Sequence, residues 1–150
     1  MTTLKIGDKA PDFSGLDQNG DIHKLADYKG KKLVVFFYPK ASTPGCTSEA
    51  CDLRDNYARF KEKNYALLGV SADSAKAQAK FIRKFDLPFP LLADEDKSVI
   101  LAFGVWGSKK FMGREYDGIY RTTFVIDENG IIEEVISDVR TKAHAAQILK

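Results

Sequence analysis

Cys46 and Cys51 are the only thiols in this chain of 150 residues, and they stand five positions apart. The first follows an apolar run, Leu33-Val34-Val35-Phe36-Phe37-Tyr38, and a connecting stretch, Pro39-Lys40-Ala41-Ser42-Thr43-Pro44-Gly45. That pattern reads as a buried strand, a short loop and a cysteine at the start of a helix. A helix N-terminus carries unpaired N–H groups and partial positive charge, and both favour thiolate over thiol. The thiolate is the nucleophile. Without its flanks the pair reads more simply as two buried core cysteines, because free cysteine is among the most buried residue types.

The remaining composition excludes several classes. A hydrophobic fraction of 44% with 29% charged residues fits a soluble globular protein. The length suits one domain over residues 1–150, large enough for a proper core. The formal charge is only +2, and the clusters Lys29, Lys31, Lys32 and Lys109, Lys110 are too short to mark a nucleic-acid surface. No apolar run approaches the roughly 18 residues of a membrane span. The start, Met1-Thr2-Thr3-Leu4-Lys5, lacks the apolar stretch of a signal peptide. The expectation is a cytoplasmic protein with neither membrane nor nucleic-acid partner. In a reducing compartment two cysteines are poor candidates for a structural staple, and two alone make half a zinc site. His23 and His144 are isolated in sequence and expected at the surface; no metal is expected.

The elements that must position Cys46 follow from periodicity and turn residues. Asp17-Gln18-Asn19-Gly20 joins two short strands, 13–16 and 21–24, as a hairpin. Residues 33–38 form a central strand, apolar on both faces. A helix is predicted from near Cys46 to about Lys63, with Leu53, Tyr57 and Phe60 on its core face. Residues 65–71 form a second buried strand, parallel to the first because a helix connects them. A helix over 74–85, capped by Ser71 or Asp73, places Phe81 and Phe85 on one side. Leu87-Pro88-Phe89-Pro90 breaks it before a short strand at 91–93. Asp94 or Asp96 caps a short helix running to Phe103. Strands at 122–126 and 131–137 meet at Asp127-Glu128-Asn129-Gly130, and a last helix spans 142–149. Trp106, Phe111, Met112 and Tyr116 are expected to pack in the core or a loop. The sum is an α/β chain, a mixed central sheet flanked by helices in a thioredoxin-like layout, with an N-terminal β-hairpin extension.

The spacing P-x-x-x-T-x-x-C, here Pro39, Thr43 and Cys46, resembles the active-site signature of the peroxiredoxins. The wider block Phe37-Tyr38-Pro39 with Thr43-Pro44-Gly45-Cys46-Thr47-Ser48-Glu49-Ala50-Cys51 is similar to the bacterioferritin-comigratory-protein, or PrxQ, branch. So are Gly104-Val105-Trp106-Gly107, Lys109-Lys110-Phe111-Met112-Gly113 and Arg121-Thr122-Thr123-Phe124-Val125-Ile126-Asp127. The resemblance covers nearly the whole chain, with the blocks in order.

It implies roles residue by residue. Cys46 would be the peroxidatic cysteine, attacking the peroxide O–O bond and becoming a sulfenic acid. The Thr43 hydroxyl would hold peroxide against the thiolate, Arg121 would stabilise the negative charge of sulfur and peroxide, and Pro39 would shield the pocket. Glu49 would belong to the arginine network. Cys51 would be the resolving cysteine, forming an intramolecular disulfide. Substrates would be hydrogen peroxide and small organic hydroperoxides, the reductant thioredoxin or glutaredoxin, and no haem, flavin or other cofactor would be needed. The chain lacks a Gly-Gly-Leu-Gly segment and a C-terminal Tyr-Phe arm, which implies quick resolution within one chain and resistance to over-oxidation. A monomer is expected, with a dimer across the active-site face as the alternative.

Geometry constrains the resolving step. Five helical residues rise roughly 7.5 Å and turn about 140°, a Cα separation of about 8.7 Å. A disulfide tolerates about 7 Å, so the two cysteines cannot bond while one intact helix holds both, and the first turns must unwind. Two other readings compete. A disulfide oxidoreductase would carry Cys-x-x-Cys, whereas four residues separate these cysteines. A redox sensor or chaperone-like module would use the same switch without turnover.

Overall fold

Short apolar strands alternate with amphipathic helices along the chain, and the computed structural model describes residues 2–149 of it. In chain order the elements are β1 (Ser14–Leu16), β2 (Ile22–Lys24), a 3-10 turn (Leu25–Tyr28), β3 (Lys32–Phe37), α1 (Pro44–Asp55) and α2 (Tyr57–Glu62). There follow β4 (Tyr65–Ser71), α3 (Ala75–Phe85), β5 (Leu91–Ala93) and α4 (Ser98–Ala102). The last are β6 (Trp106–Phe111), β7 (Arg114–Ile119), β8 (Thr122–Ile126), β9 (Ile132–Ile136) and α5 (His144–Ile148).

The main sheet has five strands in the order β5-β4-β3-β8-β9. Strand β3 is central because both its faces are apolar, and it runs parallel to β4 and antiparallel to β8. Its side chains alternate between two cores. Val34 and Phe36 point to one face with Leu53, Phe60, Phe81 and Ile148. Leu33, Val35 and Phe37 point to the other with Phe13, Val99, Phe103 and Phe124. Each fully buried phenylalanine contributes roughly 1.5–3 kcal/mol relative to exposure, so two such layers make the sheet a rigid platform. The β1–β2 hairpin pairs as expected, Ser14 opposite Lys24.

Several expectations are corrected. The helix after the loop begins at Pro44 and stops at Asp55, and Asn56 separates it from α2. The Asn56 side chain donates to the Asp52 carbonyl at 2.9 Å and its N–H to the Leu53 carbonyl, a turn that interrupts the α-helical ladder. Helix α3 is capped by Ser74, whose side chain accepts the Ala77 N–H; Ser71 and Asp73 do other work described below. Asp94 and Asp96 both serve α4, Asp94 accepting from Val99 and Ile100 and Asp96 from Ser98. Strands β6 and β7 form an unforeseen hairpin. Phe111, Met112 and Tyr116 lie exposed on it, while Trp106 is half-buried against the second core. Neither histidine is a free surface group: His144 is fully buried, and His23 is half-buried between Asp17 and Tyr28, 2.7 Å from each.

Candidate active site

The chain leaves β3 into Tyr38 and Pro39, and a buried polar relay holds the loop that follows. The Tyr38 hydroxyl donates to Gln78 Oε1 at 2.6 Å, and Gln78 Nε2 donates to Ser71 Oγ at 2.9 Å. Ser71 donates to Asp73 Oδ2 at 2.6 Å, and the same oxygen accepts the Ala41 N–H at 2.7 Å. Burial and the nearby Asp73 charge push the Tyr38 phenol well above its ordinary range, so it remains a donor. Ser42 has φ 64, a left-handed bend that turns the chain into the helix start. Thr43 occupies the N-cap position without capping through its side chain. Its hydroxyl donates instead to the Lys40 carbonyl at 2.8 Å, which leaves the oxygen able to accept.

Pro44, Gly45 and Cys46 are the first three helical residues of α1. Proline suits that position because its missing N–H has no intrahelical partner to lose. The N–H groups of this first turn, that of Cys46 among them, face out of the helix end. Cys46 is only 2% exposed, whereas Cys51, on the same unbroken helix, is half-buried; both are free thiols.

Arg121, just before β8, completes the constellation. Its Nη2 donates to Cys46 Sγ at 3.3 Å and its Nη1 to Glu49 Oε1 at 2.7 Å. Gly45 permits this approach: a Cβ there would lie 3.2 Å from Nη2. Burial works against the Arg121 charge, but the Cys46 sulfur and the Glu49 carboxylate outweigh it and hold the guanidinium above its ordinary pKa. Burial pushes the Glu49 carboxyl up to about 7, with the charge and hydrogen bond of Arg121 pulling the other way. Lys109 lies on the flanking hairpin, donating to the Ile119 carbonyl at 2.9 Å; burial and then Arg121 push its pKa down.

Behind Glu49 stands His144. Its Nε2 is 2.7 Å from Thr123 Oγ1 and 3.5 Å from Glu49 Oε2, and its Nδ1 is 2.7 Å from Gln147 Oε1. Gln147 donates through Nε2 to the Asp138 carbonyl and accepts the Arg140 N–H at Oε1. That fixes the amide, so Nδ1 carries the imidazole proton and Nε2 accepts from Thr123. Burial lowers the pKa of His144. Among the described residues, no group of three or more His, Cys, Asp or Glu is placed to hold a metal ion. Among the same residues, no helix is long and apolar enough to cross a membrane.

A buried sulfur at a helix start, with a guanidinium fixed on it, is suited to two-electron nucleophilic attack with charge stabilised in place. Residues 6–135 match the AhpC/TSA family. Over 149 residues the chain is 48% identical to peroxiredoxin Bcp of Escherichia coli strain K12, covering 99% of this chain and 96% of that relative. The chain is a peroxiredoxin of the Bcp/PrxQ branch. Among solved structures it is similar to peroxidoxin BcpB of Mycobacterium tuberculosis, at 38% identity and a TM-score of 0.86, covering 97% of this chain and 94% of the other. It is also similar to the bacterioferritin comigratory protein of Xanthomonas campestris, whose alkyl peroxide reduction activity was studied through trapped intermediate and ligand complexes. That likeness has 32% identity and a TM-score of 0.87, over 99% and 95% of the two chains. The fold is thus thioredoxin-like, and the enzyme is a thiol peroxidase.

Of the residues singled out in the sequence, the fold of this peroxiredoxin brings Cys46, Glu49 and Arg121 into contact. It sets Pro39 and Thr43 on the loop leading to them and leaves Cys51 further along α1. Sequence reasoning gave none of Gly45, Asp73 and His144 its place at the site: Gly45 stood only as part of the quoted block, Asp73 as a candidate helix cap and His144 as a surface residue. A glycine inside a first helical turn, where alanine is the better helix former, was the one available signal. Nothing local tied Asp73 to the cysteine loop or His144 to the site, because Ala41 and Thr123, their partners there, lie 32 and 21 positions away in the chain.

Proposed function

We propose that this peroxiredoxin reduces hydrogen peroxide and small organic hydroperoxides through Cys46, with Cys51 as the resolving residue. The observation that carries the reading is the Arg121 fork, one arm on Cys46 Sγ and the other on Glu49. The Cys46 thiolate attacks the terminal peroxide oxygen. The O–O bond breaks, the sulfur is oxidised to a sulfenic acid, and the departing hydroxide or alkoxide takes a proton from water. Arg121, the Thr43 hydroxyl and the Cys46 N–H stabilise the charge on the peroxide oxygens. Pro39 shields the sulfur, and Glu49 keeps the guanidinium oriented. Organic hydroperoxides are included because the similar Xanthomonas protein is described by its alkyl peroxide reduction.

Resolution follows once the start of α1 unwinds. The Cys51 thiolate attacks Cys46 Sγ, the S–O bond breaks, the S–S bond forms, and hydroxide leaves to become water. A dithiol reductant of the thioredoxin or glutaredoxin class then exchanges with the disulfide. The break at Asn56 supports this sequence, since α1 can unwind without carrying α2 with it. We place the cycle in the cytoplasm, in a monomer formed by one domain.

The test is anaerobic. One equivalent of hydrogen peroxide is added to reduced protein, thiols are blocked over a time course, and the cysteines are mapped by mass spectrometry. Rapid loss of both thiols with a Cys46–Cys51 link inside one chain is expected, followed by repeated turnover with thioredoxin and its reductase. Slow, equal loss at both cysteines would remove the peroxidatic assignment. A single oxidation without turnover would favour a sensor.

A further inference from the structure

Helix α5 spans only His144–Ile148. So short a helix does not persist in water by itself, and its stability comes from what it packs against. That surface is α1. Asp52 Oδ2 accepts the Ala145 N–H at 2.7 Å, capping the start of α5 from another element. One turn earlier on α1, Glu49 Oε2 faces His144 Nε2 at 3.5 Å. Ala145, Ile148 and Leu149 are buried in the same core as Ala50 and Leu53. Helix α5 therefore sits on the stretch between Cys46 and Asp52, which cannot stay helical if its two cysteines are to join.

We propose that α5 is a clamp on residues 46–52, with Asp52 its positioning residue, and that the grip of this clamp sets the rate at which oxidised Cys46 is resolved. The inference rests on Cys51 being the resolving cysteine. Asp52 acts through the helix and does not touch the reacting atoms. When the segment unwinds so that Cys51 can displace hydroxide from Cys46 Sγ, Asp52 moves with it, the Ala145 N–H loses its acceptor, and α5 loosens.

The test compares wild type with Asp52→Val and Asp52→Asn in the full chain. Valine removes the acceptor at nearly the same helix propensity, so α1 itself is little altered. Asparagine keeps a carbonyl oxygen in place. Rapid-quench mass spectrometry follows loss of the Cys46 thiol and appearance of the Cys46–Cys51 disulfide as separate events. Disulfide formation is expected about fivefold faster in Asp52→Val and within about twofold of wild type in Asp52→Asn, with the first step alike in all three. In wild type, amide exchange at Ala145 and the following residues should be faster in the disulfide form than in the dithiol form. Equal or slower disulfide formation in Asp52→Val, or α5 amides equally protected in both forms, overturns the clamp while leaving Cys51 as resolver. Absence of any Cys46–Cys51 disulfide in wild type removes the resolving assignment and the clamp together.

Discussion

Arg121 Nη2 rests 3.3 Å from Cys46 Sγ although 75 positions of chain separate the two residues. The donor is thus in place before any peroxide arrives, and no reorganisation is needed when charge develops. Glu49 holds the other arm of the fork at 2.7 Å. Replacement of Arg121 by lysine keeps a charge but cannot serve sulfur and carboxylate at once. The second-order rate of Cys46 oxidation, read by stopped-flow fluorescence or competition, should fall about a hundredfold in Arg121→Lys and further in Arg121→Ala. A rate within about twofold of wild type for the lysine variant would show that charge alone suffices.

Gly45→Ala separates stability from rate. Alanine is the better helix former, so the melting temperature should stay level or rise. The new methyl would crowd Nη2 at 3.2 Å, and the guanidinium must withdraw by a few tenths of an ångström. A loss of about tenfold in the peroxide step is expected, since misplacement on that scale is costly in a preorganised site. An unchanged rate would mean that Arg121 relocates freely.

Glu49 gives stability a pH signature with a definite sign. Its folded pKa of about 7 lies above the ordinary value of 4.5, chiefly through burial. Between those two values the unfolded chain has lost the proton and the folded protein keeps it, so this residue's contribution falls as pH rises across the window. It is fully present below about 4.5 and levels off above about 7. His144 runs the other way: its lowered pKa costs stability as pH falls below its ordinary value of 6.5. The difference between wild type and Glu49→Gln, measured by urea unfolding at several pH values, isolates the carboxyl. It should decline steadily from about pH 4.5 to about pH 7. A flat difference would place the Glu49 titration outside that range.

Cys51→Ser distinguishes the two oxidation steps. Loss of the Cys46 thiol should proceed at close to the wild-type rate, because Cys51 is outside the Arg121 contacts. The sulfenic acid should then persist long enough for a dimedone-type reagent to trap it, and excess peroxide should drive it to sulfinic and sulfonic acid. Turnover with thioredoxin should be lost. Sustained turnover in this variant would mean that the reductant attacks the sulfenic acid directly.

Much of the fold was legible because its signals are local. The apolar runs behind β3, β4 and β8 and the turn at Asp127-Glu128-Asn129-Gly130 carry their periodicity and chemistry within a few residues. The β6–β7 hairpin was illegible for the converse reason. Most of its residues are exposed or half-exposed, which leaves no in-out alternation. Its turn is Met112-Gly113, with φ 53 and 79, a conformation usually announced by asparagine before the glycine. The break at Asn56 was hidden because the core-facing spacing of Leu53, Tyr57 and Phe60 continues through it. Phe60 is buried as that spacing requires, while the helix restarts beneath it.

By itself the sequence determined a cysteine-bearing loop: a proline, a threonine and a cysteine at set intervals between a buried strand and a helix, with a second cysteine down that helix. Those relations span a dozen residues, and backbone geometry enforces them. Which distant groups surround the sulfur was decided only by the tertiary structure. Strand β8 pairs antiparallel with β3 so that Thr122 lies opposite Phe37. Arg121, one residue earlier, is thereby delivered to the end of β3 where the cysteine loop departs. His144 reaches Glu49 in the same indirect way, because α5 packs on α1 and buries a histidine that sequence alone placed at the surface. Such proximity depends on strand register and helix docking, which are set by the summed burial of two cores rather than by any short stretch of residues.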